Sequence, residues 1–157
     1  MGETFAERWG RKERECGFEA IASEMVPCSE WVLPREAAPC MTFDQAGQPA
    51  PVWEVFASPS EWTAADRARL GPYRMIGSDG AGNPVCVEHG TGAVWLLDHE
   101  DWFRTRQFVN SSVPQLAECL LAYMGEQEAD RFRQTVRGLD APALVEGSFW
   151  WHEAAGL

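Results

Sequence analysis

Apolar and polar residues alternate most clearly in the middle of the chain. Residues 85–88 and 93–97 are short β-branched or aromatic runs, and the segment 89–92 between them contains two glycines that can adopt the positive φ of a tight reversal. A period of two assigns alternate side chains of the first run to opposite faces, and we expect one of these faces to be buried. The pattern predicts an antiparallel hairpin.

A capped helix is predicted shortly after this hairpin. A third apolar run at 107–109 is followed by Ser112 and Gln115, which have the S-x-x-Q spacing of a capping box, and by Pro114 in the first helical turn. Apolar residues then recur every three or four positions, so one stripe of the helix must pack on something apolar. The stripe consists of Val113, Leu116, Ala117, Leu120, Leu121 and Met124. The sequence therefore predicts a sheet with a helix against it.

Turn-forming residues fill the segment before the hairpin. Residues 77–84 read GSDGAGNP, and we predict a loop that no helix or strand crosses. Further upstream, 41–43 and 52–56 predict another hairpin, in which Pro51 indicates an edge position. Residues 59–63 are expected to cap a brief helix that runs through Leu70.

The two ends of the chain are predicted to be helical. In residues 4–15, Phe5 and Trp9 lie about one helical turn apart, which fits a short amphipathic helix packed on the body; a frayed segment over 1–15 is the alternative. Residues 126–137 favour a helix after a break at Gly125. Asp140 and Ser148 are expected to cap two final short helical turns.

The central motifs, in this order, resemble the SUKH superfamily and in particular its fourth subfamily. The similarity rests on the G-S-D-G-x-G-N-P loop, the hairpin that ends in an aspartate, F-V-N-S-S and L-A-E-C-L-L-A-Y, all between Tyr73 and Tyr123. The resemblance implies a single SUKH-like α+β domain over residues 1–157. Its sheet would be curved and mostly antiparallel, with about five or six strands and helices packed on one side.

The resemblance also implies a function. Members of this family are largely bacterial immunity proteins, so we expect a non-catalytic protein that neutralises a cognate toxin by covering its active or substrate-binding surface. The toxin would be a nuclease or a nucleic-acid deaminase. An intracellular regulatory or scaffolding adaptor is an alternative, because the superfamily includes cell-wall regulators of yeast. A small hydrolase or ligand-binding domain is a more distant alternative.

The charge of the chain bears on the partner. The sequence has 24 acidic and 13 basic residues, a formal net charge of −11, which argues against nucleic acid or a membrane surface as a direct partner and favours a basic protein. Residues 75–103 contain no lysine or arginine, although a merely solvated acidic face would show the same pattern. The candidate interface consists of Glu88, Asp98, Glu100 and Asp101 for charge, with Trp53 and Trp102 as apolar anchors.

Eight tryptophans are many for a chain of this size. Trp95, Trp150 and Trp151 have apolar neighbours, so we expect them in or beside the core. Trp53, Trp62 and Trp102 have both polar and apolar neighbours in the sequence, and we expect them to be partly exposed. Partly exposed aromatic side chains commonly anchor interfaces.

The sequence offers little support for catalysis or for a cofactor. His89, His99 and His152 are far apart, and Cys86 and His89 would point to opposite faces of an extended strand. No paired metal-ligand spacing occurs, so we assign no metal, no cofactor and no catalytic residue. Five cysteines are expected to be reduced thiols. The absence of an apolar signal or spanning segment predicts a cytoplasmic protein, and a monomer is favoured.

Overall fold

An antiparallel sheet lies at the centre of the fold. The computed structural model describes residues 2–18, 23–56 and 62–157. Within them a seven-stranded sheet has the order β3-β4-β6-β7-β8-β9, with β5 also paired to β6, and a separate hairpin joins β1 to β2. The strands are β1 (Met25–Cys28), β2 (Trp31–Pro34), β3 (Glu36–Ala37), β4 (Met41–Thr42), β5 (Ala50–Pro51), β6 (Tyr73–Ser78), β7 (Pro84–Glu88), β8 (Val94–Leu97) and β9 (Arg106–Asn110).

Six α-helices accompany the sheets in the described part of the chain. They are α1 (Phe5–Glu15), α2 (Val52–Val55), α3 (Ala64–Leu70), α4 (Val113–Tyr123), α5 (Ala129–Asp140) and α6 (Phe149–Ala155), and a short 3-10 turn covers Ala141–Leu144. The α+β class and the antiparallel sheet are therefore confirmed. None of the helices in the described ranges is long and apolar enough to span a bilayer.

The main sheet is covered on both faces. Val85 packs in a large cluster with α1, the β1–β2 hairpin, α4, α5 and α6, which we call the first face. Its neighbour Cys86 points the opposite way, into a smaller cluster with Val52 of α2 and Leu70 of α3, which we call the second face. Both Val85 and Cys86 are fully buried. The helices thus lie on two sides of the sheet, and the sheet has more strands than the five or six expected.

The central hairpin and its following helix are confirmed. Strands β7 and β8 pair antiparallel, and β8 pairs with β9. The Ser112 hydroxyl caps α4 by accepting from the Gln115 N–H at 3.3 Å. The Gln115 side chain does not return to the cap main chain: its Oε1 accepts from the Ser112 hydroxyl, and its Nε2 donates to the Leu139 carbonyl. One side chain therefore ties the start of α4 to the end of α5.

The predicted hairpin between 41–43 and 52–56 is wrong. Met41–Thr42 pairs with β3 and with β6, and Ala50–Pro51 pairs with a different part of β6. Residues Val52–Val55 form a helical turn that buries Val52. The long strand β6 offers both segments a partner that is distant in sequence, so they do not pair with each other. Pro51 does lie at an edge, as predicted.

The predicted loop at 77–84 is shorter than expected. Gly77 and Ser78 end β6, and Pro84 begins β7. The turn between them closes because the Asp79 carboxylate accepts from the N–H groups of Ala81 and Asn83 at 2.9 and 2.8 Å. A single aspartate thus reverses the chain within a few residues, which leaves the flanking positions free to join the sheet.

The N-terminal helix α1 is packed against the body of the protein. Thr4 and Glu7 form a reciprocal capping box, and the side chains of Phe5 and Trp9 are buried in the first-face cluster. Arg8 forms an ion pair with Glu118 of α4. These contacts confirm the amphipathic helix predicted over residues 4–15.

The predictions for the remaining helix caps and for the tryptophans are confirmed only in part. The brief helix through Leu70 is confirmed with Thr63 as its N-cap, whereas residues 59–61 of the predicted cap lie outside the described ranges. Asp140 and Ser148 occupy the expected cap positions, but neither makes a side-chain cap bond. Among the tryptophans, Trp150 is buried as predicted. Trp62 is buried instead of partly exposed, and Trp151, expected in or beside the core, is 37% exposed.

Candidate partner-binding surface

Glu88 is the first of the predicted interface acids, and the structure gives it a basic neighbour. It lies at the end of β7, where its carboxylate is 3.3 Å from Arg106 Nη1 and accepts from the Thr91 hydroxyl at 2.8 Å. The Arg106 guanidinium also lies over the Trp95 ring, 4.0 Å from its centroid. The charge of Glu88 is therefore compensated by a residue that follows it by 18 positions, contrary to the uncompensated charge expected from the sequence.

The other three predicted acids lie in the loop between β8 and β9. Asp98 Oδ1 accepts from the Glu100 N–H at 2.9 Å. The Asp101 carboxylate accepts from the main-chain N–H groups of Arg104 and Thr105 and from the Thr105 hydroxyl. These bonds, that of the hydroxyl foremost, hold the pKa of Asp101 below its usual range. In the described residues, the exposed Glu100 carboxylate has no hydrogen-bond or ion-pair partner.

Trp102 holds this loop against α3. Its ring stacks on Trp62 with the centroids 4.5 Å apart, and its Nε1 donates to Asp66 Oδ2 at 3.2 Å. Arg69 donates to the carbonyls of Trp102 and Phe103 at 3.1 and 2.7 Å. Trp102 and Phe103 adopt φ of 60° and 61°, a left-handed conformation that bulky residues rarely adopt without such support. The loop is therefore pre-formed.

Trp53, the second predicted anchor, lies beside the same cluster. It is half-buried on α2, and the Arg67 guanidinium is 5.7 Å from its ring centroid. Phe56, just after α2, contacts Phe103 edge-on at 5.1 Å. The structure thus brings Trp53 and Trp102 to one apolar cluster on the second face, although 49 positions separate them in the sequence.

Three residues of this surface were missed by sequence reasoning. Asp66, Arg69 and Arg106 link the predicted residues to the rest of the fold. The T-x-x-D spacing of Thr63 and Asp66 is a recognisable cap signal, but nothing in it points to Trp102. The surface is consequently mixed in charge, with arginines interleaved among the acids.

In the described residues, the potential metal ligands and nucleophiles near the second face are dispersed or buried. No group of three or more potential metal ligands converges in the part of the chain that the structure describes. His99 Nδ1 is 2.7 Å from Asn83 Oδ1, a contact that belongs to the turn before β7. Burial raises the pKa of Cys86 to about 12, so that thiol stays protonated at neutral pH and is a poor nucleophile.

A groove of about 630 Å³ lies on the first face, between the β1–β2 hairpin and the start of α4. Its walls are mainly apolar, and its charged side chains are of both signs, which gives it no preference for an anionic or a cationic ligand. The residues along it include Trp31, Ile76, Val87 and Val113, with Glu30, Arg74 and His89.

The fold defines a small α+β protein with an antiparallel sheet that is covered on both faces. The sequence of residues 29–156 matches the family model described as SUKH-4 immunity protein, and the chain belongs to that family. The match includes strand β2, well before the central motifs that carried the resemblance. No curated protein and no solved structure gives a significant match. Family membership supports an immunity role.

Proposed function

We propose that this protein binds a cognate bacterial toxin in the cytoplasm and neutralises it by covering its active or substrate-binding surface. The observation that carries the proposal is the match to the SUKH-4 immunity protein family over residues 29–156. The protein acts as a monomer and contributes binding alone.

The toxin is a nuclease or a nucleic-acid deaminase. Enzymes that act on nucleic acids need basic surfaces to bind phosphates, and a protein of net charge −11 is attracted to such a surface and repelled by its substrate. Attraction of this kind raises the association rate and makes the complex sensitive to salt.

The contact surface includes the loop between β8 and β9. Glu100 offers a free carboxylate, Asp98 and Asp101 flank it, and Trp102 and Trp53 supply half-buried apolar area beside it. The hydrogen bonds of the loop support this choice, because a pre-formed loop loses little conformational entropy on binding. Glu88 contributes less, since Arg106 neutralises it.

The test uses the toxin encoded beside this gene. We expect co-expression to rescue growth, and the purified proteins to form a stoichiometric complex whose affinity falls as salt rises. Glu100→Lys should slow association several-fold at low salt, whereas Glu128→Lys, an equal change of charge at the N-cap of α5, should not. Absence of a complex with any adjacent effector would refute the proposal, and equal effects of the two variants would remove the loop from the interface.

A further inference from the structure

A second groove, of about 530 Å³, lies where α1 meets the β3–β4 edge of the main sheet. Phe18 lies at this groove with 41% of its surface exposed, an unusual state for a large aromatic side chain. The apolar residues along the groove include Trp9, Phe18, Ala37, Met41 and Met124. The groove can therefore bury the apolar part of a bound side chain.

A buried carboxylate lines this apolar groove. Glu13 is only 6% exposed, and its Oε2 accepts one hydrogen bond, from the Ser23 N–H at 3.0 Å. In the described ranges, no lysine, arginine or histidine lines the groove and no ion pair involves Glu13. The undescribed segment 19–22 reads EAIA and has no basic residue to supply one. A buried carboxylate without a cation is costly, so the site favours a cationic ligand.

Two further groups narrow the choice of ligand. Trp9 is 3% exposed, and its indole Nε1 has no hydrogen-bond partner although it is buried at the wall of the groove. Buried N–H groups are nearly always paired, so this one calls for an acceptor. Glu36 adds an exposed carboxylate to the lining. A ligand that satisfies all three groups carries a positive charge, a hydrogen-bond acceptor and an apolar stem.

We propose that this groove receives a lysine or arginine side chain from a basic segment of the toxin, an inference that rests on the function proposed above. The cationic head of this side chain pairs with both Glu13 and Glu36. Its methylene stem packs on Phe18 and Met41. A main-chain carbonyl of the same toxin segment accepts a hydrogen bond from the Trp9 indole N–H. This contact lies at the opposite edge of the sheet from β9.

Part of the groove lies outside the stretch that matches the family model. Trp9, Glu13, Phe18 and Ser23 precede residue 29, where the family match begins, whereas the β3–β4 edge and Met124 lie within the match. The family pattern therefore supplies one wall, and a segment outside it supplies the buried carboxylate.

The first test measures the affinity for the toxin encoded beside the gene. Glu13→Gln keeps an oxygen that can accept from the Ser23 N–H but removes the charge, so we expect Kd to rise at least about tenfold. Glu146→Gln, an exposed glutamate beyond β9, is the charge-matched control and should change Kd less than twofold. If wild-type protein binds the toxin and Glu13→Gln binds equally well, the groove proposal is overturned while the proposed function stands. Should Glu13→Gln fold poorly, Glu36→Gln replaces it with the same criterion.

The second test does not depend on finding the toxin. The probe is a capped tripeptide, Gly-Lys-Gly, compared with its neutral norleucine analogue, and the readout is the indole N–H resonance of Trp9 in the full-length protein. We expect the lysine peptide to shift this resonance at millimolar concentration and the analogue to leave it in place. A response to both peptides or to neither would overturn the groove proposal, even if no adjacent toxin binds and the proposed function has already failed.

Discussion

A single buried aspartate connects four elements of the fold. Asp140 is 3% exposed, and its carboxylate accepts from Asn110 Nδ2 at 3.0 Å and from the N–H and hydroxyl of Ser111 at 2.8 and 2.6 Å. Asn110 Oδ1 accepts in turn from Trp150 Nε1 at 2.8 Å. The network joins the end of β9, the approach to α4, the end of α5 and α6. The F-V-N-S-S motif thus has a structural role that its own local pattern does not reveal.

Removing this carboxylate should destabilise the protein strongly. Asp140→Ala leaves the buried Asn110 amide and the two donors of half-buried Ser111 without their acceptor, so we expect a loss of about 3 kcal/mol in the free energy of unfolding. Asp130→Ala, at the exposed start of the same helix, removes only a solvated pair with Arg133 and should cost less than about 0.5 kcal/mol. Urea unfolding measures both. Similar losses for the two variants would contradict a central role for Asp140.

Among the elements, β6 decides how the first half of the chain joins the second. It pairs with β7 along its length, while β4 and β5 share its other side. The register shifts between Met75 and Gly77, and Ile76 points into the first-face cluster while Met75 points into the second. At Gly77 the main chain of β4 comes so close that an added Cβ would lie 2.1 Å from the Thr42 carbonyl oxygen. Glycine is required there by close approach.

A pair of glycine substitutions should have effects of opposite sign. Gly77→Ala forces β4 away from β6, and we expect a loss of about 3 kcal/mol or more in stability. Gly138→Ala, in the last turn of α5, meets no atom within 4 Å and should raise stability by about 0.5–1 kcal/mol because alanine is the better helix former. Thermal and urea unfolding of the two variants provide the check. A folded, equally stable Gly77→Ala variant would show that the strands can separate without cost.

For the molecule as a whole, packing on both faces of the sheet buries three thiols in apolar surroundings, where the charged thiolate form is unfavourable. Burial raises the pKa of Cys28 from 9.0 to about 11 and those of Cys86 and Cys119 from 9.0 to about 12. A thiol of raised pKa keeps its proton in the folded state after the unfolded chain has lost it. The contribution of each such thiol to the stability of the folded state is therefore fully present below pH 9 and is lost as the pH rises above that value.

We expect stability to fall steeply in mild alkali. Above pH 9 each of the three thiols costs about 1.4 kcal/mol per pH unit, so we predict a total loss of about 4 kcal/mol between pH 8 and pH 10, most of it above pH 9. Urea unfolding under reducing conditions at the two pH values measures it. Cys86→Ala should lessen the loss by about a third. A pH dependence that Cys86→Ala leaves unchanged would contradict ionisation of that thiol as a cause.

The surroundings of the predicted interface residues combine neighbours in the sequence with residues from distant elements. Asp98, Glu100, Asp101 and Trp102 are neighbours in the sequence and remain neighbours in the loop. The partners that shape their surroundings, Asp66, Arg69 and Arg106, come from other elements. The sequence shows where the acidic residues are, but it did not predict that Arg106 neutralises Glu88. An ion pair between two strands depends on their register and on the direction of the side chains.

The sequence alone determined the features that form within a few residues: the β7–β8 hairpin, the capped helix α4, the helix α1 with its buried pair and the acidic balance of the chain. Each rests on turn chemistry, a cap or a period that neighbouring positions specify. Tertiary structure decided which strands pair with β6, that both faces of the sheet are covered, and that Glu13 is buried beside a groove without a cation. These features depend on contacts between residues distant in sequence, which local patterns do not specify.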